Sequence, residues 1–66
     1  MNAEQIRQQV AQMLTESDTE LAKTEQLDND EGYTNIDTTM ERYYEQGYRD
    51  ALAHLLKKIQ PTTTNQ

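Results

Sequence analysis

The sequence contains no cysteine, phenylalanine or tryptophan, one proline (Pro61) and two glycines (Gly32 and Gly47). Without cysteine there is no disulfide framework, no thiolate nucleophile and no Cys-containing zinc site, which fits a reducing, cytoplasmic setting. Nowhere do even four strong hydrophobes run together, and the Met1-Asn2-Ala3-Glu4-Gln5 start has neither basic residues nor an apolar core. A membrane span and a signal peptide are therefore not expected. Positive charge is also scarce: six Lys and Arg stand against twelve Asp and Glu, a net charge of −6. A protein that neutralises the phosphates of a long nucleic acid through its overall charge is excluded as the expected class.

Leu, Ile and Val number only ten in 66 residues, a composition that would permit disorder, but their arrangement is helical. At 100° per residue, Ala3, Ile6, Val10, Met13, Leu14, Ser17, Leu21 and Thr24 fall within about 100° of arc, which predicts one amphipathic helix over residues 3–25. Leu27 lies off that stripe and sets the expected end. Ser17 and Glu20 have the spacing of a capping box that would start a separate helix, but the unbroken phase of the stripe favours one helix. A second helix is predicted over 36–60, with Asp37 or Thr38 as N-cap, Glu41 as reciprocal partner and Pro61 as stop. Residues 26–35 between them form an acidic, turn-rich loop with Gly32 as the expected positive-φ position. Residues 61–66 have no apolar side chain and are expected to be a disordered tail.

The fold class expected is all-α: a two-helix αα-hairpin that oligomerises into a helical bundle. On the second helix Met40, Tyr44, Tyr48, Ala51, Leu52, Leu55, Leu56 and Ile59 spread over about 160°, wider than the seam one facing helix covers. Tyr44, Gly47, Tyr48, Ala51, Leu52, Leu55, Leu56 and Ile59 are the candidate oligomer interface, and a homodimer is the expected state because a 66-residue hairpin has little core. Gly47 fits a close backbone approach, since an interior helical glycine costs about 1 kcal/mol against alanine.

Charge defines two further candidate surfaces. Glu16, Asp18, Glu20, Glu25, Asp28, Asp30 and Glu31 against Lys23 place −6 between residues 16 and 31. With Tyr33 they form a candidate docking surface for a host protein with a basic face; the alternative is a solvated segment that aids solubility. Arg42, Arg49 and Lys57 share about 80° on the polar side of the second helix and, with Tyr43, form a candidate site for a small anionic nucleotide. The alternative there is helical pairing of Glu45 with Arg49, and of Lys57 with the helix dipole.

Catalytic and metal chemistry find little footing. An EF-hand register with Gly32 at its sixth position would put Leu27 and Asn29 at the first and third ligand positions and Thr38 at the twelfth, so no metal site is expected. His54 is the only histidine and follows Asp50 by four residues, a spacing that reads as a helical pair. No enzyme activity and no cofactor are expected.

The segment Glu41-Arg-Tyr-Tyr-Glu-Gln-Gly-Tyr-Arg-Asp-Ala-Leu, above all Tyr44-x-x-Gly47-Tyr48-x-Asp50-Ala51-Leu52, resembles the C-terminal helix of very small accessory proteins encoded by phages and mobile elements. That genre includes anti-CRISPR proteins and sponges for nucleotide immune signals. The resemblance implies a non-enzymatic anti-defence protein that inhibits a host defence system by binding a host protein. The alternatives are a homo-oligomeric nucleotide sponge and a structural oligomer without ligand.

Overall fold

A helix needs its first N–H groups satisfied, and Asn2 meets that need at the start of α1. Its Oδ1 accepts from the Gln5 amide at 2.8 Å while the Gln5 side chain accepts from the Asn2 amide at 3.0 Å, a reciprocal capping box. The computed structural model describes residues 2–60, which form an all-α hairpin of α1 (Ala3–Asp30) and α2 (Ile36–Ile59). Its extents are 47 × 24 × 13 Å, the long axis being set by the length of α1. The tail expected at 61–66 lies outside the described residues. No described helix is long and apolar enough to cross a membrane.

α1 runs five residues past the expected end at 25. Leu27 is exposed, as its position off the stripe implies, but Asp28 falls back in phase with Val10 and Leu21 and is buried. The stripe therefore continues in polar residues, which hydropathy periodicity does not register. The acidic loop expected at 26–35 contracts to residues 31–35. Its first turn is a Schellman cap: the Tyr33 amide donates to the Asp28 carbonyl at 2.9 Å and the Gly32 amide to that of Asn29 at 3.0 Å. Gly32 has φ +67°, as its place in the loop predicts, and Tyr33 follows at φ +61°. The N-cap of α2 is Asn35, two or three residues before the expected Asp37 or Thr38, its Oδ1 accepting from the Asp37 amide at 3.1 Å. Asp37 thus sits in the first turn and Lys57 and Lys58 in the last, both favourable to the helix dipole. Gln60, which precedes Pro61, is extended, as the proline ring requires.

The inward residues of both helices recur at steps of three and four. In α1 they are Arg7, Val10, Leu14, Ser17, Leu21, Thr24 and Asp28; in α2 they are Thr38, Arg42, Glu45, Arg49, Leu52, Leu56 and Ile59. This is the spacing of a coiled-coil seam, but apart from Leu21 its hydrophobic members lie toward the open end. Among the described residues just three hydrophobic side chains are buried, Val10, Leu21 and Leu52, alongside Ser17, Asp28 and Thr38.

The wide stripe of α2 is consequently split. Leu52 is buried and Leu56 and Ile59 half-buried within the hairpin, so these three candidates for the oligomer interface belong to the intrachain seam. Tyr44, Gly47, Tyr48, Ala51 and Leu55 remain exposed, joined by Ile36, Met40 and Tyr43. The large side chains of this outer face are 45–73% exposed. A Cβ at Gly47 would meet nothing within 4 Å, so the hairpin itself gives no reason for a glycine there.

With so few buried hydrophobes, each matters. Leu21→Ala and Leu52→Ala should each cost about 2–4 kcal/mol, whereas Gln9→Ala on the exposed side of α1 should stay within about 0.5 kcal/mol. Urea melts followed by circular dichroism at 222 nm check the contrast.

Candidate functional site at the acidic end

Folding the chain back on itself enlarges the acidic region that sequence position alone defines. Asp37, Glu41, Glu45 and Asp50 come to lie on the same half of the hairpin as residues 16–31, so residues 16–50 carry eleven acids against Lys23, Arg42 and Arg49, a net −8. The open end holds the compensating +2 in Lys57 and Lys58, with Glu4 and Arg7 paired to each other. The hairpin is a charge dipole along its long axis.

Asp28 is not part of the exposed acidic surface. Its residue is 0% exposed, and its two carboxylate oxygens accept separate bonds from α2: Oδ1 from the Thr39 hydroxyl at 2.7 Å and Oδ2 from Arg42 Nε at 2.7 Å. The Thr39 bond, then the bond and charge of Arg42, hold the Asp28 pKa below its ordinary value against the opposing effect of burial. Arg42 is raised in turn, chiefly by Asp28, and its guanidinium lies 4.4 Å from the centre of the Tyr43 ring. The expectation that Asp28 contacts a partner is thereby corrected: it is satisfied within the chain.

Arg49 is engaged in the same way. Its Nε donates to Asp18 Oδ1 at 2.6 Å and its Nη1 to Asp50 Oδ1 at 3.2 Å, and the Asp18 bond is the main cause of its raised pKa. The anticipated Glu45–Arg49 and Asp50–His54 helical pairs are replaced by these contacts. Of the candidate cationic row, Arg42 and Arg49 face α1 as ion-pair partners, and Lys57 alone is exposed without such a contact. The physical reason is the matching of rows: α1 presents Asp18 and Asp28 where α2 presents Arg49 and Arg42. Tyr43 is exposed beside Arg42.

What remains outward of the acidic candidates is Glu16, Glu20, Glu25 and Asp30, with Asp18 exposed but bonded to Arg49. Glu20 makes a weak 3.4 Å contact to Lys23, and Asp30 accepts from Gln26 at 2.8 Å. Glu31 is half-buried, accepting from Asn35 Nδ2 at 3.2 Å, and Tyr33 is exposed with its hydroxyl donating to Asn29 at 3.0 Å.

Glu16 and Glu20 share a groove of about 320 Å³ with Met13, Ser17, Glu45 and Tyr48. Three carboxylates from two helices border it, beside an apolar strip made by Met13 and Tyr48. Glu45 Oε1 is covered and has no hydrogen-bond partner, an unfavourable state for a carboxylate oxygen. Sequence reasoning missed Met13, Ser17 and Glu45 as site residues. The signal that would have found Glu45 is its place between Arg42 and Arg49 in one three-and-four row. Among the described residues no three His, Asp or Glu side chains are grouped closely enough to hold a metal ion. The chemistry on offer is acceptance of hydrogen bonds and positive charge beside an apolar strip. No protein-family model, curated protein or solved structure matches this chain.

The buried pair at Asp28 gives the fold a pH signature. Because its folded-state pKa is lowered, its contribution is complete above the unfolded value of about 4 and is lost as pH falls through the lower folded value. Asp28→Asn should melt below wild type at neutral pH, and thermal scans from pH 7 down to 2 should show the gap between the two proteins narrowing below about pH 4.

Proposed function

We propose that this chain acts by binding and not by catalysis, as a small anti-defence inhibitor that occupies a basic surface of a host protein with the acidic half of its hairpin. The observation that carries the reading is the groove between α1 and α2, where the carboxylate side chains of Glu16, Glu20 and Glu45 border the apolar surface of Met13 and Tyr48. A lysine or arginine side chain has the complementary form, an aliphatic stem that packs on Met13 and Tyr48 and a cationic head that reaches the carboxylates. The −8 of the surrounding half would speed encounter with a basic partner and align it before contact. Assignment of that partner to host defence rests on the resemblance of the Tyr44–Leu52 segment to helices of phage accessory proteins.

The nucleotide-sponge alternative has weaker support, since Arg42 and Arg49 already have carboxylate partners in Asp28 and Asp18. Drawing either arginine to a phosphate would leave a carboxylate without its counter-charge, at greatest cost for the buried Asp28.

The test is a triple variant, Glu16→Gln, Glu20→Gln, Glu45→Gln, compared with wild type for binding to the host protein that co-purifies with the tagged chain. Binding should weaken as salt rises and fall at least roughly tenfold in the triple variant, with helicity unchanged by circular dichroism. Affinity indifferent to both salt and the triple substitution would overturn the proposal.

A further inference from the structure

The outer face of α2, which shares only Tyr48 with the acidic groove, is the largest feature left over from that site. Ile36, Met40, Tyr43, Tyr44, Tyr48 and Leu55 are each exposed by 45–73%. At about 200 Å² for a large side chain, they leave on the order of 700 Å² of mostly apolar surface, facing away from α1 except at Tyr48 on the groove's edge, close to the ~800 Å² that each partner buries in a stable interface.

We propose that this face is covered by a second copy of the chain in an antiparallel two-fold dimer, with the helices crossing at Gly47 and Tyr48. Three independent features favour that occupant and orientation. The first is shape. Gly47 and Tyr48 are the two central residues of α2 (Ile36–Ile59), and reversal about that midpoint sets Met40 opposite Leu55 and Tyr44 opposite Ala51 of the second copy. Large residues meet medium or small ones, and no bulky residue is forced against itself. The second is the glycine. Gly47 has open space where a side chain would stand, and a two-fold crossing is where two backbones approach most closely. The third is charge. The antiparallel arrangement lays the +2 open end of one copy along the −8 half of the other, bringing Lys58 near Asp37, whereas a parallel pair would stack the two acidic halves together.

The contact lies on α2 and leaves Glu16 and Glu20 of α1 outside it; Tyr48 is common to the contact and the groove, so the two readings are separated by substitutions at residues that belong to one only, Met40 and Leu55 for the contact and Glu16, Glu20 and Glu45 for the groove. Sedimentation equilibrium at micromolar concentration should give twice the 7.7 kDa chain mass, and a monomeric mass would overturn the proposal. Leu55→Glu should weaken association by at least tenfold with monomer helicity retained, because Leu55 is exposed in the hairpin. Orientation is read with single cysteines in a chain that has none. An equimolar mixture of Met40→Cys and Leu55→Cys should oxidise mainly to the mixed disulfide, and predominant Met40→Cys self-pairing would exclude the antiparallel form. Asp37→Lys and Lys58→Glu should each weaken the dimer and restore it when combined; failure of the combination to recover would remove the proposed charge contact.

Discussion

The hairpin depends on one buried carboxylate. Asp28 sits in the last turn of α1 with both oxygens committed to α2, one to Thr39 and one to Arg42. A buried charge is tolerated only when its partners are close and well oriented, and that demand fixes α2 in both position and rotation. The Schellman turn, through the Tyr33 bond to the Asp28 carbonyl, and the Asn35 cap bring the chain back within five residues. Farther along, Asp18 and Arg49 repeat the same pairing at a more exposed level, so two ion pairs set register in the half of the hairpin where Leu21 is the one hydrophobic residue of the seam.

Rotation of α2 has a consequence for everything outside the seam. Arg42, Glu45 and Arg49 must face α1, and Tyr43 and Tyr44, about a third of a turn of helix away, must then face outward, with Tyr48 left at the edge of the groove. A more apolar seam would have been possible, because α2 carries a continuous stripe from Met40 to Leu55 suited to Val10, Leu14 and Leu21. The chain instead spends its polar row internally and keeps its apolar row available. Such an arrangement sacrifices intrachain burial and leaves two features on the outside: an acidic groove and an apolar, glycine-centred helix face.

The existence of two helices, their connection by a short polar loop and the positive φ at Gly32 were legible in the sequence, because hydropathy period and turn chemistry are local properties. The surplus width of the α2 stripe was legible too. What could not be read was the direction α2 would face. Periodicity counts apolar residues as inward, and here Asp28 with Arg42 and Asp18 with Arg49 satisfy each other across the helices through pairings that join residues 14 and 31 positions apart. The same blind spot explains the early end expected for α1, since Asp28 continues the stripe in phase but not in hydropathy. It also explains why Arg42 and Arg49 looked like free cations, and why Glu45, drawn to the seam by its neighbours in the row, was overlooked as part of the groove.

The most direct measurement of this account is a side-chain NOE map of the isotope-labelled protein in solution. If the Asp28 pairing sets the rotation of α2, the Leu52 methyls will show contacts to methyls of α1, and the Tyr44 ring protons will show none to Leu14 or Leu21. Strong contacts from the Tyr44 ring to Leu14 or Leu21 would mean that α2 buries its apolar stripe against α1, and would contradict the account at its base.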